Sequence, residues 1–94
     1  MEIEHIKEEN GGEFMVDKNH EKAASLQYML FGSGRLVINH TEVGASLKGE
    51  GVGGKLIDAA ADYARAQGLK ILPVCPFAKS YMRAKKEKYG DVLV

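Results

Sequence analysis

From Lys48 to Lys55 the chain reads Lys-Gly-Glu-Gly-Val-Gly-Gly-Lys, with four glycines in eight residues and a lysine at each end. This run stands directly before the longest stretch of helical periodicity, so its backbone opens a helix. The N–H groups of a first helical turn lack intrahelical acceptors, and the helix dipole adds partial positive charge there. Phosphates bind such ends. Glycine lets them approach the backbone closely and supplies the positive φ that a curled loop needs. Gly49, Gly51, Gly53 and Gly54, with Val52 among them and Lys48 and Lys55 at the flanks, are therefore candidates for a pyrophosphate cradle. A plain flexible loop would use the same residues. Two other phosphate motifs do not fit. A P-loop needs Ser or Thr after Gly-Lys, but Leu56 follows Gly54-Lys55. A dinucleotide fingerprint needs different spacing and an acidic residue after the next strand, where Cys75 and Pro76 stand.

Four further side chains offer reactivity. Cys75, the single cysteine, is a strong nucleophile as a thiolate and a small apolar filler when buried. His40 is the imidazole to test as its base, or else a hydrogen-bonded structural residue. Glu42 is a second candidate base, acting through a water, or a solvated strand residue. Tyr81 sits in a basic run that includes Lys79, Lys85 and Lys86, whose ammonium groups either meet phosphates or simply face solvent. His5 and His20 are scattered, and with one cysteine the chain offers no metal-binding pattern.

The elements that carry these residues change character halfway along. Ile3 and Ile6 precede a turn at Asn10-Gly11-Gly12, and Phe14-Met15-Val16 follows. Beyond Asn19-His20, Ala24, Leu26, Tyr28 and Leu30 alternate at period two. Gly32-Ser33-Gly34 separates them from Arg35-Leu36-Val37-Ile38, which runs on through His40-Thr41-Glu42-Val43. The short spacings predict a meander of four antiparallel strands. Val52, Leu56, Ile57, Ala60, Tyr63 and Ala64 then recur at helical spacing, with Gly68 as the stop. Leu69 to Cys75 reads as a buried strand closed by Pro76, and Lys79 to Lys88 as a second helix. A strand, a helix and a strand form a crossover, which favours a parallel pair.

Lys48-Gly49-Glu50-Gly51-Val52-Gly53 fits the pattern basic or Gln, any two residues, Gly, any residue, Gly or Ala. In that setting it resembles the acyl-CoA signature of the GNAT N-acetyltransferase superfamily. Together with His40-Thr41-Glu42-Val43 and Val74-Cys75-Pro76-Phe77, the stretch from Val37 to Tyr81 is similar to the short, single-domain GNAT group. The chain departs from that group at Lys86-Glu87-Lys88-Tyr89-Gly90, where a His-Pro-Glu-Tyr-like stretch is usual.

The resemblance implies an α/β (α+β) fold: a minimal GNAT-like mixed, mostly antiparallel sheet with two helices and a splayed central strand pair. It implies an acetyl-CoA-dependent N-acetyltransferase acting on an unidentified amine; the alternative is a non-catalytic acyl-CoA-binding module that senses the cofactor or delivers it to a partner. Pantetheine would lie along Glu42, Val43, Gly44 and Ala45, and the pyrophosphate at Lys48 to Lys55. Cys75 and Pro76 would stand near the thioester, Tyr81 would either protonate the departing thiolate or simply pack, its spacing from Ala78 being unusual, and Lys85 would lie on the cofactor side. Larger members place two helices between their first two strands; here there is only a turn, so the acceptor side is expected to be open. That suits a protein-borne amine, a polyamine, or no acceptor.

At 94 residues the chain is read as one domain over 1–94. A content of 45% hydrophobic and 28% charged residues describes a folded globular protein rather than a disordered tail. Zero formal net charge and few aromatics give no basis for specific nucleic-acid binding. No apolar run reaches membrane-spanning length, no membrane partner is expected, and a reducing, cytoplasmic location is the expectation.

Overall fold

A computed structural model describes residues 2–94. Five strands form one sheet in the order β1-β2-β3-β4-β5: β1 (Glu4–Glu8), β2 (Gly11–Lys18), β3 (Glu21–Phe31), β4 (Arg35–Val43) and β5 (Lys70–Pro73). The first three junctions are antiparallel hairpins, as the alternation predicts, and β4 and β5 run parallel. The β2–β3 connection is the two-residue turn Asn19-His20, with φ of 54° and 66°. Positive φ at both positions gives the turn the twist that hairpin strands need, and Asn tolerates it best among non-glycine residues.

Between β4 and β5 lie a 3-10 turn (Ala45–Leu47) and helix α1 (Val52–Gln67). The helix stops at Gly68, whose left-handed backbone turns its N–H back to the carbonyls of Ala64 and Arg65. Leu26, Leu36, Ile38, Leu56, Ile57 and Ile71 are fully buried between sheet and helix. The opposite sheet face has no helix on it. There Met29, Val37 and Leu72 stand side by side in register across three strands, with Met29 and Leu72 exposed.

The C-terminal third differs from the sequence expectation in two ways. The strand expected through Cys75 ends at Pro73, because the N–H groups of Val74 and Cys75 both turn to the Ile38 carbonyl (2.9 and 3.1 Å). The expected second helix begins earlier, as α2 (Pro76–Ala84), breaks at Lys85 (φ −122°, ψ 45°), and resumes as the short α3 (Lys86–Tyr89). Pro76 favours that earlier start, since its fixed φ and missing N–H suit a first helical position. The described residues thus form three α-helices rather than two.

The divergent tail is anchored. Tyr89 is fully buried and its hydroxyl donates to Asp58 of α1 at 2.5 Å, with Lys88 on the same carboxylate. Val92 and Val94 bracket Ile71 by backbone hydrogen bonds (2.6 and 2.9 Å). No helix among the described residues is long and apolar enough to cross a membrane.

An aromatic cluster ties the edge strand β1 to the body. His5 stacks on Phe14 at 4.0 Å, meets Tyr63 edge-on, and shares a 2.6 Å hydrogen bond with the Tyr28 hydroxyl. Desolvation, and then the nearby Lys7 ammonium, hold the His5 imidazolium below its ordinary 6.5; burial and Tyr63 push Tyr28 up to about 12. The unfolded chain therefore holds the His5 proton more tightly than the folded one, so stability present above pH 6.5 is lost as pH falls below it. Urea midpoints measured from pH 7.5 to 5 should fall in the wild type and fall less in His5→Asn. Equal slopes would remove His5 as the cause. For the tail, Tyr89→Phe should cost about 1 kcal/mol in urea unfolding, because it strips the Asp58 carboxylate of a donor.

Candidate functional site

The site is organised by an irregularity in β4. Gln27 of β3 pairs with His40, but the next residue, Tyr28, pairs with Ile38, so Asn39 is a bulge without a partner. Before the bulge, Leu36 and Ile38 face the core; an extra residue reverses the alternation, so Thr41 and Val43 take the inner face beyond it. His40 and Glu42 turn outward and are exposed. At the same level the sheet opens. The parallel ladder ends at the Ile38–Pro73 pair, after which β4 continues beside β3 alone and the chain after β5 turns into α2. The splayed strand pair expected from the resemblance is this parting.

Cys75 stands at the parting, 7% exposed, and caps α2: the Ala78 N–H donates to Sγ at 3.4 Å. Its second polar contact is the Thr41 hydroxyl, with Oγ1 3.3 Å from Sγ. His40, the imidazole to test as a base for Cys75, makes no hydrogen bond to it, because the bulge places His40 on the other face of β4. Thr41 is the residue that sequence reasoning missed. Unbroken alternation from Leu36 and Ile38 points to His40, and only the strand pairing shows the extra residue.

The glycine run divides into two roles. Gly49 and Gly51 have φ of 85° and 71°, with open space where a side chain would project. They curl the loop, and Gly51 enters α1 without a side-chain cap. Gly53 and Gly54 are helical and tightly packed: a Cβ on Gly53 would lie 2.7 Å from the Phe77 ring, and one on Gly54 would strike the Tyr81 hydroxyl. Those two glycines let α2 lay its stacked Phe77 and Tyr81 rings (5.5 Å apart) against the first turn of α1. The first α1 hydrogen bond runs from the Lys55 N–H to the Gly51 carbonyl at 3.2 Å. The N–H groups of Val52, Gly53 and Gly54 precede it and have no acceptor among the described residues.

A cleft of about 250 Å³ lies between Val43 at the end of β4, the loop, that first turn, and the rings of Phe77 and Tyr81. Lys48 lines it, while Lys55, next to its Gly54 wall, is exposed. Gly44 abuts β3, its N–H donating to Ala23 at 2.7 Å, and Ala45 starts the turn that leads into the loop. Lys85 extends its ammonium over the Tyr81 ring at 5.2 Å. Exposed Pro76 opens α2 beside Cys75. The structure thus gathers Val43, the glycine loop and Tyr81 around one cleft, keeps Cys75 out of its lining, and leaves His40 and Glu42 on the far face of β4. Positive-φ glycines, free first-turn donors and a flanking lysine are the donor set that a pyrophosphate requires, so the residues present fit CoA.

Comparison with known proteins bears on the fold and the family. A family model described as GCN5-related N-acetyl-transferase matches residues 13–92. No curated protein sequence matches significantly. Among solved structures, a GCN5-like protein from Staphylococcus aureus superposes with a TM-score of 0.74 at 36% identity, covering 97% of this chain and 87% of that one. Tetrahymena GCN5 (TM-score 0.67, 16% identity) matches over 83% of this chain and 51% of its own. The ribosomal-protein-S18-alanine N-acetyltransferase of Escherichia coli (0.67, 14%) matches over 87% and 54%. The last two share the fold alone, and the chain spans about half their length. On the match over residues 13–92 and the Staphylococcus aureus relative, the chain belongs to the GCN5-related N-acetyltransferase family, whose acetyl donor is acetyl-CoA.

Proposed function

We propose that acetyl-CoA binds in the cleft between β4 and α2, and that its acetyl group passes to an amine arriving from the helix-free face of the sheet. One observation carries this reading: the glycine loop and the free donors of the α1 first turn open onto the same cleft as the end of β4, beside the parting of β4 from β5. When bound, acetyl-CoA supplies an activated acetyl thioester. The N–H groups of residues 52–54 and the Lys48 ammonium would hold its pyrophosphate, with Lys55 and Lys85 at the rim. The backbone of Glu42 to Ala45 would hold pantetheine, since β4 beyond Ile38 has a strand partner on the β3 side only.

The remaining groups divide between the two faces. Glu42 is exposed on the helix-free side and suits the role of base for the incoming ammonium; His40 lies beside it. Tyr81 lines the cleft on the donor side, where its hydroxyl can hold a proton. Cys75, next to Pro76, would lie at the acetyl end. Its Sγ partners are a hydroxyl and an N–H, and neither is a base, so direct transfer fits better than an acetylated cysteine. Only the turn between β1 and β2 separates those strands, which leaves the acceptor side uncovered. An extended amine, on a protein surface or a polyamine, is the substrate class this shape favours.

Calorimetric titration with acetyl-CoA and CoA tests the cleft. Saturable binding is expected for wild type and Cys75→Ala. For Gly51→Asp, whose carboxylate would face the pyrophosphate on a strained left-handed backbone, a loss of roughly tenfold or more is expected. Unchanged affinity in Gly51→Asp would sink the loop assignment. With an acceptor in hand, Glu42→Gln should lower kcat and leave the CoA affinity unchanged.

A further inference from the structure

The contact between Thr41 and Cys75 joins two elements that otherwise diverge. Thr41 is half-buried on the inner face of β4 beyond the bulge, and Cys75 begins α2. A hydroxyl at 3.3 Å has a property that a carbonyl or an N–H lacks: it accepts from an S–H and, after rotating, donates to an S⁻. The Ala78 N–H can only donate. Without Thr41, the S–H of the thiol would have no acceptor among its contacts, and the thiolate would keep a single neutral donor. Valine has nearly the same shape as threonine and neither capacity. Packing alone would therefore accept valine, whereas control of the sulfur's proton requires a hydroxyl.

We propose that Thr41 positions Cys75 at the acetyl end of the site: its hydroxyl fixes Sγ at the parting of β4 and β5 and hydrogen-bonds the sulfur as thiol or as thiolate. This rests on the reading that the acetyl end of the donor lies at that parting. The bulge at Asn39 is what brings the hydroxyl inward, so the irregular register and the thiol environment are one device.

The test is alkylation of Cys75 by iodoacetamide in the full chain without acetyl-CoA, followed by mass spectrometry. Thr41→Val should slow alkylation on the order of tenfold at pH 8, and Thr41→Ser should restore it to within roughly threefold of wild type. Thr41→Ala is a second hydroxyl-free variant, independent of how valine packs, and should be slow as well. Serine that reacts as slowly as valine, or hydroxyl-free variants that react as fast as wild type or faster, would overturn the proposal. CoA titration of the same proteins separates the two readings. A wild type that fails to bind CoA removes the cleft assignment, while the alkylation series still decides whether Thr41 governs the thiol.

Discussion

A single extra residue in β4 governs the rest of the site. A strand with its ladder intact could not part from β5 at Ile38 and also present Thr41 to the inner face, because alternation would keep Leu36, Ile38 and His40 on one side. With Asn39 looped out, β4 keeps its hydrogen bonds to β3 and reverses its faces within one residue. The inner face then offers a hydroxyl to α2, and the outer face carries an imidazole and a carboxylate. The two faces of one strand thus carry different chemistry.

Against that strand, α1 and α2 meet through a contact that lacks side chains on one partner. Gly53 and Gly54 leave room, and Phe77 and Tyr81 fill it. The first turn of α1 thus keeps its backbone donors near the surface of the cleft while its far wall is aromatic. The tail beyond α2 serves the same frame. Tyr89 on Asp58, and Arg65 on Asp91 at 2.7 Å, hold the chain after α3 to α1, and the backbone of 92–94 covers the outer edge of β5.

Much of this was legible from residue order. Period-two alternation located the hairpins, helical spacing and Gly68 bounded α1, and the crossover required a parallel pair. The loop signature pointed to the family that the match over residues 13–92 shows. Three features were hidden for physical reasons. A bulge changes pairing without changing composition, so the inward turn of Thr41 could not be read from residue order. Gly53 and Gly54 look like loop glycines until the rings of α2, more than twenty residues later, are placed on them. The break at Lys85 falls in a run of residues with good helix propensity and depends on tertiary packing of Met82 and Tyr89, both fully buried.

The glycine–aromatic contact also limits how this architecture can change. A side chain introduced at Gly53 or Gly54 presses on the far end of the Phe77 or Tyr81 ring, which has to shift to admit it. Gly53 and Gly54, which look permissive in the sequence, are thus tied to two residues of α2 and change only together with them.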